Sequence, residues 1–248
     1  MQYFYINLSF LLKKKSIYAK MKWKGVLYVK IIARIYTDFK EKFGIPRQSA
    51  LTEARGKIVF EKEYRNPDAL RGIEGYSHLW IIWQFSEAIR DNWSPTVRPP
   101  RLGGNKKVGV FATRSPFRPN PIGLSSVKLE AICEEAGFGT VLYVKGADML
   151  DGTPIYDIKP YVAYTDSHPE AICGFADEKF GKKLEVHIPD SEQSKLDEER
   201  LRELISLLEE DPRPSYKTDP DREYGMLFAD REVFFKVESS TLYVTKIK

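Results

Sequence analysis

The sequence predicts a mainly β protein with a small α+β region at its C-terminal end, and three observations support that fold class. Short apolar runs recur along residues 26–148, separated by Gly or Pro, with no room for long helices between them. One amphipathic helix is indicated near the C-terminus, and three strand-like runs follow it. The chain has 248 residues, of which 42% are hydrophobic, enough to bury a core in one domain or in one domain plus an appendage.

Residues 1–28 are expected to form an N-terminal extension outside the folded part. Residues 1–12 are apolar and precede three lysines, which reverses the charge order of a secretory signal peptide. This run is also too short to cross a bilayer. Met21 is an alternative start residue. These features predict a cytoplasmic protein that does not associate with a membrane.

The N-terminal domain is placed at residues 29–189, and its strands are predicted from apolar runs. Residues 26–36 mix β-branched and aromatic side chains at strand length. Residues 76–85, YSHLWIIWQF, are apolar on both faces, which is typical of a buried strand. Three further strands are predicted at residues 108–113, 125–133 and 140–148. Without long helices between them, these strands are expected to be mostly antiparallel.

The C-terminal domain is placed at residues 190–248 and begins with the amphipathic helix. Asp190 is the expected N-cap, Gln193 follows three residues later, and Pro212 follows the helix end. Leucines recur between them at helical spacing. The runs GMLFA, EVFFKV and TLYVTKI then predict a three-stranded meander, with turns at residues 230–231 and 238–240.

Cysteine and histidine positions argue against a disulfide framework and a metal site. Cys133 and Cys173 are forty residues apart, without a neighbouring Cys or His pattern, which fits a reducing compartment. The three histidines are scattered through unrelated contexts, so no metal is expected. The GGNKK run also lacks the spacing of a dinucleotide-binding loop, which disfavours a doubly wound fold.

Charge placement draws attention to residues 92–129. This segment holds no Asp or Glu but seven Lys or Arg residues, so its charge is +7, and the rest of the chain carries 4 − 7 = −3. Phe111, Phe117, prolines and glycines lie among the cations, which suits contact with a phosphate backbone and stacked bases. A solvated surface without a ligand is the alternative. Residues 190–211 are strongly acidic and would repel RNA.

Within this segment, RPNPIG at residues 118–123 is expected to form a rigid loop. Proline fixes φ and removes a hydrogen-bond donor, so the run cannot enter a helix or a central strand. Gly123 permits a positive φ or a close backbone approach. A cradle for a small ligand beside Arg114 and a corner of a β-barrel are both open interpretations.

Several long motifs resemble the TrmO family of tRNA methyltransferases. In chain order these are KEKFGIPRQ (40–48), YSHLWIIW (76–83), VRPPRLGGN (97–105), GVFATRSPFRPNPIGLS (109–125), DGTPIYDIKPY (151–161) and DPRPSYK (211–217). The resemblance implies a single-sheet β-barrel, a small C-terminal domain and a homodimer. It also implies S-adenosylmethionine-dependent methylation of N6 of threonylcarbamoyl-adenosine, next to the anticodon of tRNA.

The resemblance further implies a cofactor site assembled from separate motifs. Family members often carry His and Gln, or similar polar residues, at the positions of Ser86 and Glu87. Taken alone, the run DGTP would be an ordinary β-turn. The implied S-adenosylmethionine-binding residues are Pro46, Arg47, Gln48, Ser86, Glu87, Arg114, Leu124, Asp151, Gly152, Thr153 and Pro154.

Methyl transfer from a sulfonium requires neither a metal nor a covalent nucleophile, so positioning is the main task of the protein. Asp157 is the candidate acceptor for the proton that leaves the amine, with a structural salt bridge as the alternative. DPRPSYK is either a substrate-contacting segment or a linker. The predicted RNA-binding residues are Arg98, Arg101, Lys106, Lys107, Arg118, Lys159, Tyr161, Arg213, Tyr216 and Lys217.

Two competing functions come from other classes. The first is a non-catalytic barrel that binds RNA or senses S-adenosylmethionine. The second is a hydrolase that uses Cys133 or Cys173 together with a histidine. Methyl transfer to threonylcarbamoylated tRNA would separate the first of these from an enzyme.

Overall fold

A computed structural model of the chain describes residues 29–99, 102, 105–179, 183–213, 219 and 221–248. The predicted extension at residues 1–28 and three predicted RNA-binding residues (Arg101, Tyr216 and Lys217) lie outside the described residues. Residues 31–248 form one compact unit. Across the described residues, no helix is long and apolar enough to span a bilayer.

The described residues form twelve strands in three sheets. The strands are β1 (Ala33–Thr37), β2 (Arg55–Phe60), β3 (His78–Gln84), β4 (Thr96–Val97), β5 (Val108–Gly109), β6 (Ile122–Glu135), β7 (Gly139–Lys145), β8 (Thr153–Pro160), β9 (Glu185–His187), β10 (Tyr224–Phe228), β11 (Arg231–Glu238) and β12 (Thr241–Ile247). Six of them close into a barrel in the order β1-β2-β7-β6-β3-β8, with every pair antiparallel. The mainly β fold class and the single-sheet barrel are therefore confirmed.

The barrel closes around side chains that alternate along each strand. On β3, Leu79, Ile81 and Trp83 are buried, whereas Trp80 and Ile82 between them are partly exposed. This period of two is the pattern of a strand with one face in the core. The prediction of a strand buried on both faces is therefore wrong in detail, because only the inner face of β3 lies inside the barrel.

The C-terminal part contains a four-stranded sheet in the order β10-β11-β12-β9, in which β9 runs parallel to β12. The meander β10–β12 confirms the predicted strands, and β9 is an additional strand. Leu204, Leu207 and Leu208 cover one face of the sheet and are almost fully buried. Each such leucine stabilises the fold by about 1.5–3 kcal/mol. Phe39 and Ala54, which flank the barrel strands, join the same core.

The α-helices within the described residues are α1 (Ala163–Asp166), α2 (Asp190–Gln193) and α3 (Glu198–Glu209). The single predicted helix is therefore two helices. The break occurs because the Asp197 carboxylate accepts a hydrogen bond from the Arg200 backbone N–H at 2.8 Å and starts a new helix. The predicted cap at Asp190 is also wrong, since that helix begins after Pro189 without a side-chain cap.

Other boundaries differ from the sequence prediction where proline and glycine interrupt the pattern. The run 108–113 is a two-residue strand followed by a 3₁₀ turn at Val110–Ala112. Strands β2 and β8 were not predicted, because β2 carries charged residues and β8 contains two prolines within the DGTPIYDIKPY motif. The proposed division of the chain at residue 189 stays a prediction.

Candidate functional site

A cavity of about 800 Å³ lies where β3 ends and where β6 and β8 begin. This volume is within the usual range for small-molecule sites. Four segments supply its walls: residues 45–48, residues 83–88, the loop 111–124 and residues 148–153. Turns at the ends of antiparallel strands thus bring together segments that are up to about a hundred residues apart in the chain.

The floor of the cavity is built from Trp83 and the start of β6. The Trp83 indole N–H donates to Ser125 Oγ at 2.9 Å, and Ser125 Oγ donates to Asp148 Oδ1 at 2.6 Å. The indole lies against Gly123, where a Cβ would come within 2.2 Å of the ring. Gly123 is therefore required for close approach, the second of the two roles considered for it.

Asp148 is the most perturbed acid of this site. Burial raises the pKa of its carboxyl to about 6, because desolvation disfavours the charged form. Hydrogen bonds, the largest from Ser125, and the positive charge of Arg114 pull the pKa in the opposite direction but do not outweigh the burial. A strongly perturbed carboxyl inside a cavity is a feature of functional sites.

Positive charge also lines the cavity. Arg114 is exposed and its Nη1 donates to the Gln48 side-chain oxygen, while the Gln48 amide donates to the Arg47 carbonyl at 2.6 Å. Arg118 also lines the cavity, and its Nη1 donates to the Thr113 carbonyl at 3.2 Å. Arginine forks of this kind are suited to binding carboxylate or phosphate groups.

Arg47 connects the cavity to the segment that follows helix α3. Its Nη2 donates to the carbonyls of Asp211 and Arg213 at 3.2 and 3.0 Å. Arg213 in turn pairs with Asp211 through two hydrogen bonds of 2.8 and 2.9 Å, which is a bidentate arrangement. The first residues of the DPRPSYK motif therefore lie against one wall of the cavity.

Aromatic side chains are exposed along the acid-free segment beside the cavity. Phe111 lines the cavity, is 72% exposed, and its ring centroid is 6.1 Å from that of Trp93. The Arg90 guanidinium lies 3.9 Å from the ring centroid of Phe117, which is also exposed. Exposed rings next to cations form the kind of surface on which unpaired bases stack.

Most of the residues predicted to bind the cofactor meet at this cavity. Those that line it are Pro46, Arg47, Gln48, Ser86, Glu87, Arg114, Leu124 and Thr153. Asp151, Gly152 and Pro154 are not among the lining residues. The Asp151 carboxylate instead accepts from the Thr37 N–H at 2.9 Å and pairs with Lys40 at 2.7 Å, which ties the turn to β1. Binding by each of these residues stays a prediction.

The predicted RNA-binding residues are spread over more than one surface. Arg98, Lys106 and Lys107 are exposed in the segment next to the cavity. Tyr161 instead packs near Trp80, with ring centroids 5.6 Å apart, and Lys159 pairs with Asp157 at 2.9 Å. These last three predicted residues, Asp157 included, do not line the cavity.

Sequence reasoning missed several of the residues that line the cavity. Trp83, Phe85 and Asp148 are assigned only to predicted strands, and Asn120 only to the rigid loop at residues 118–123. A signal for Asp148 was present, because it is an acid at the end of an apolar run and three residues before the DGTP motif. Its hydrogen bond to Ser125 was not visible, since that pairing depends on the barrel register.

The cysteines take no part in the cavity. Cys133 and Cys173 are free and exposed, and neither lines it. Within the described ranges, no cluster of three or more His, Cys, Asp or Glu side chains is arranged to hold a metal ion.

Comparisons with known proteins agree along most of the chain. The family model of the tRNA-methyltransferase O N-terminal domain matches residues 34–167, and that of the TrmO C-terminal domain matches residues 181–248. An Escherichia coli protein named tRNA (adenine(37)-N6)-methyltransferase is 39% identical over 216 residues, which cover 83% of this chain and 91% of that protein.

Two further matches come from Pseudomonas aeruginosa. A protein whose name describes an S-adenosylmethionine-dependent methyltransferase is 43% identical over 213 residues, which cover 82% of this chain and 89% of that protein. A crystal structure of TrmO superimposes with a TM-score of 0.71 at 34% identity, and the match covers 90% of this chain and all of that one.

Proposed function

The chain belongs to the tRNA-methyltransferase O family, and on that premise we propose that it methylates N6 of the adenine at position 37 of tRNA. The proposed methyl donor is S-adenosylmethionine, and the proposed base is threonylcarbamoyl-adenosine. The observation that carries the proposal is the cavity at the barrel end, where eight of the predicted cofactor-binding residues meet from four separate segments of the chain. A homodimer and a cytoplasmic location stay predictions.

The residues of the cavity fit S-adenosylmethionine in size and in chemistry. Trp83, Phe85 and Leu124 supply apolar surface for an adenine ring. Arg114 is suited to the donor carboxylate, and Asp148 offers an anionic group to a cationic ligand. The backbone N–H and C=O groups of the proline-bounded loop 116–121 can also hydrogen-bond to the ligand. Their directions are restricted, because proline fixes the backbone φ angle.

When bound, the donor supplies an activated methyl group on a sulfonium, so the N6–CH₃ bond forms as the S–CH₃ bond breaks. The residues of the chain contribute by holding the methyl donor and the adenine base in line at short distance. This positioning lowers the activation barrier of the transfer. The buried floor at Trp83 and Ser125 excludes water from one side of the donor.

The proton that leaves N6 needs an acceptor, and Asp157 remains the candidate. Its carboxylate pairs with Lys159, and neither residue lines the donor cavity. The adenine base of the tRNA would therefore have to reach β8 from outside the cavity. Asp157→Asn is expected to lower kcat about 100-fold at unchanged donor affinity. An unchanged kcat would leave the ion pair as the role of Asp157.

The tRNA is proposed to approach along the acid-free segment. Arg98, Lys106 and Lys107 are exposed there, beside the Trp93 and Phe111 rings, so phosphate contacts and base stacking are available next to the cavity. Residues 190–211 are strongly acidic and would disfavour RNA on their own surface.

The experiment is a methyl-transfer assay with purified protein and labelled donor. Threonylcarbamoylated tRNA should be methylated and unmodified tRNA should not, with the product identified by mass spectrometry of nucleosides. Donor binding without product would favour the non-catalytic barrel, which the methyltransferase names of the relatives do not favour. Full activity of a Cys133→Ser, Cys173→Ser variant would remove the hydrolase alternative.

A further inference from the structure

The cavity contains two acidic residues among its described lining residues, and they differ in their surroundings. Glu87 is largely exposed, with its carboxylate 3.8 Å from the Lys42 ammonium. Asp148 lies at the floor of the cavity, and Ser125, which is 1% exposed, donates to its Oδ1 at 2.6 Å. Asp148 therefore offers an oriented negative charge inside the cavity.

We propose that Asp148 and Arg114 together bind the α-amino-acid end of the methyl donor, with the carboxylate of Asp148 on the ammonium and the guanidinium of Arg114 on the carboxylate. The inference rests on the proposed function and names the residues that hold one end of its cofactor. It gives Arg114 the role expected for an arginine of this site, and it adds Asp148, which the sequence motifs did not indicate.

The geometry supports a pair rather than two separate contacts. Both residues line the same cavity, and the positive charge of Arg114 is one of the influences that lower the pKa of the Asp148 carboxyl, although burial outweighs them. The ammonium and the carboxylate of an α-amino acid are attached to one carbon atom. Two neighbouring protein groups of opposite charge are the complement of such a ligand.

The orientation of Asp148 is fixed before any ligand binds. Ser125 Oγ donates to Asp148 Oδ1 and accepts from the Trp83 indole, so the three side chains form one continuous hydrogen-bonded chain. Trp83 and Ser125 are both buried, which prevents these groups from turning toward water. A preorganised carboxylate costs less entropy on binding than one that must be ordered by the ligand.

Two ligands that differ at this end provide the test. S-adenosylhomocysteine has the α-amino-acid end but lacks the sulfonium charge, and 5′-methylthioadenosine lacks the amino-acid end altogether. Calorimetric titration of wild type, Asp148→Asn and Arg114→Gln measures both affinities. Asp230→Asn, which removes the same charge from the exposed turn between β10 and β11, is the control.

We expect Asp148→Asn to weaken S-adenosylhomocysteine binding about 10- to 100-fold, the loss typical of a charge-assisted hydrogen bond, and to change 5′-methylthioadenosine binding less than about 3-fold. Arg114→Gln should show the same selective loss, and Asp230→Asn should bind both ligands like wild type. Asn retains an acceptor for Ser125, so the floor of the cavity should stay intact.

Three outcomes would contradict either the proposed function or the inference about Asp148 and Arg114. If wild type fails to bind S-adenosylhomocysteine, the proposed function is wrong. If wild type binds it and Asp148→Asn binds it equally well, the inference is wrong and the function stands. If Asp148→Asn loses both ligands to the same degree while its thermal unfolding is unchanged, the carboxylate contacts the adenosine part, which also overturns the inference.

Discussion

At the residue scale, the site depends on a few side chains whose neighbours fix their chemistry. Asp148 is the clearest case. Desolvation raises its pKa to about 6, because this effect exceeds the lowering by the Ser125 hydrogen bond and the Arg114 charge. Keeping this carboxylate ionised at neutral pH therefore costs the folded protein free energy. Such a cost is usual where a group is kept for binding rather than for stability.

The linkage between this pKa and stability gives a testable pH dependence. The folded carboxyl holds its proton to a higher pH than the unfolded one, so its contribution to the free energy of unfolding falls as pH rises from about 4 to about 6. Asp148→Asn removes this loss, which is on the order of 3 kcal/mol at most. Thermal unfolding should therefore show that Asp148→Asn increases stability relative to wild type at pH 8, and much less at pH 4.5. An equal difference in stability at both pH values would contradict the raised pKa.

At the scale of elements, the barrel positions the site through the register of β3 and β6. Trp83 pairs with Gly123 and Ile81 pairs with Ser125, so the indole lies on a glycine and reaches the serine next to it on the same face. The loop 111–121 then connects to β6 and places Arg114 and Arg118 at the cavity. A shift of one residue in this register would turn Ser125 away from Asp148.

Gly123→Ala is the substitution that tests this packing. Its Cβ would lie 2.2 Å from Trp83 Cε2, so either the indole or β6 must move. We expect a loss of about 2–3 kcal/mol in the free energy of unfolding, measured by denaturant titration, together with weaker donor binding. Gly109→Ala is the matched control, because nothing lies within 4 Å of its Cβ position and its φ of −57° suits alanine. Equal effects of the two changes would refute the packing account.

Prediction from sequence succeeded for elements with a regular pattern and failed where pairing depends on the whole barrel. Strands β10–β12 follow clear alternation, and the cavity motifs were found because proline and arginine recur in them. Strand β8 is not predicted, because Pro154 and Pro160 argue against a strand in the sequence. The barrel nevertheless accommodates both prolines in β8. Asp148 and Trp83 were not assigned to the site because hydrogen bonds between β3, β6 and residue 148 cannot be read from local sequence.

At the scale of the whole molecule, charge is separated between two regions. The acid-free segment next to the cavity carries Arg98, Lys106 and Lys107, whereas residues 190–211 are strongly acidic. The net charge of +4 therefore understates the positive surface that a nucleic acid would meet. We propose that long-range attraction of this kind orients the tRNA toward the cavity before any base is recognised.

Salt dependence of tRNA binding measures this contribution. Replacing Lys106 and Lys107 by Gln should weaken binding and reduce the slope of log affinity against log salt by up to about 1.4, the value for two phosphate contacts. Arg202→Gln combined with Lys248→Gln removes two exposed charges from the C-terminal part and should leave the slope unchanged. Parallel slopes for the Lys106, Lys107 variant and wild type would place the tRNA on another surface.

The central claim is that the cavity at the end of the barrel holds the methyl donor, and a crystal structure with S-adenosylhomocysteine tests it most directly. The account predicts electron density for the ligand between residues 46–48 and the loop 111–124, with its amino-acid end at Arg114 and Asp148. A ligand found at any other surface, while this cavity contains only solvent, would contradict the account.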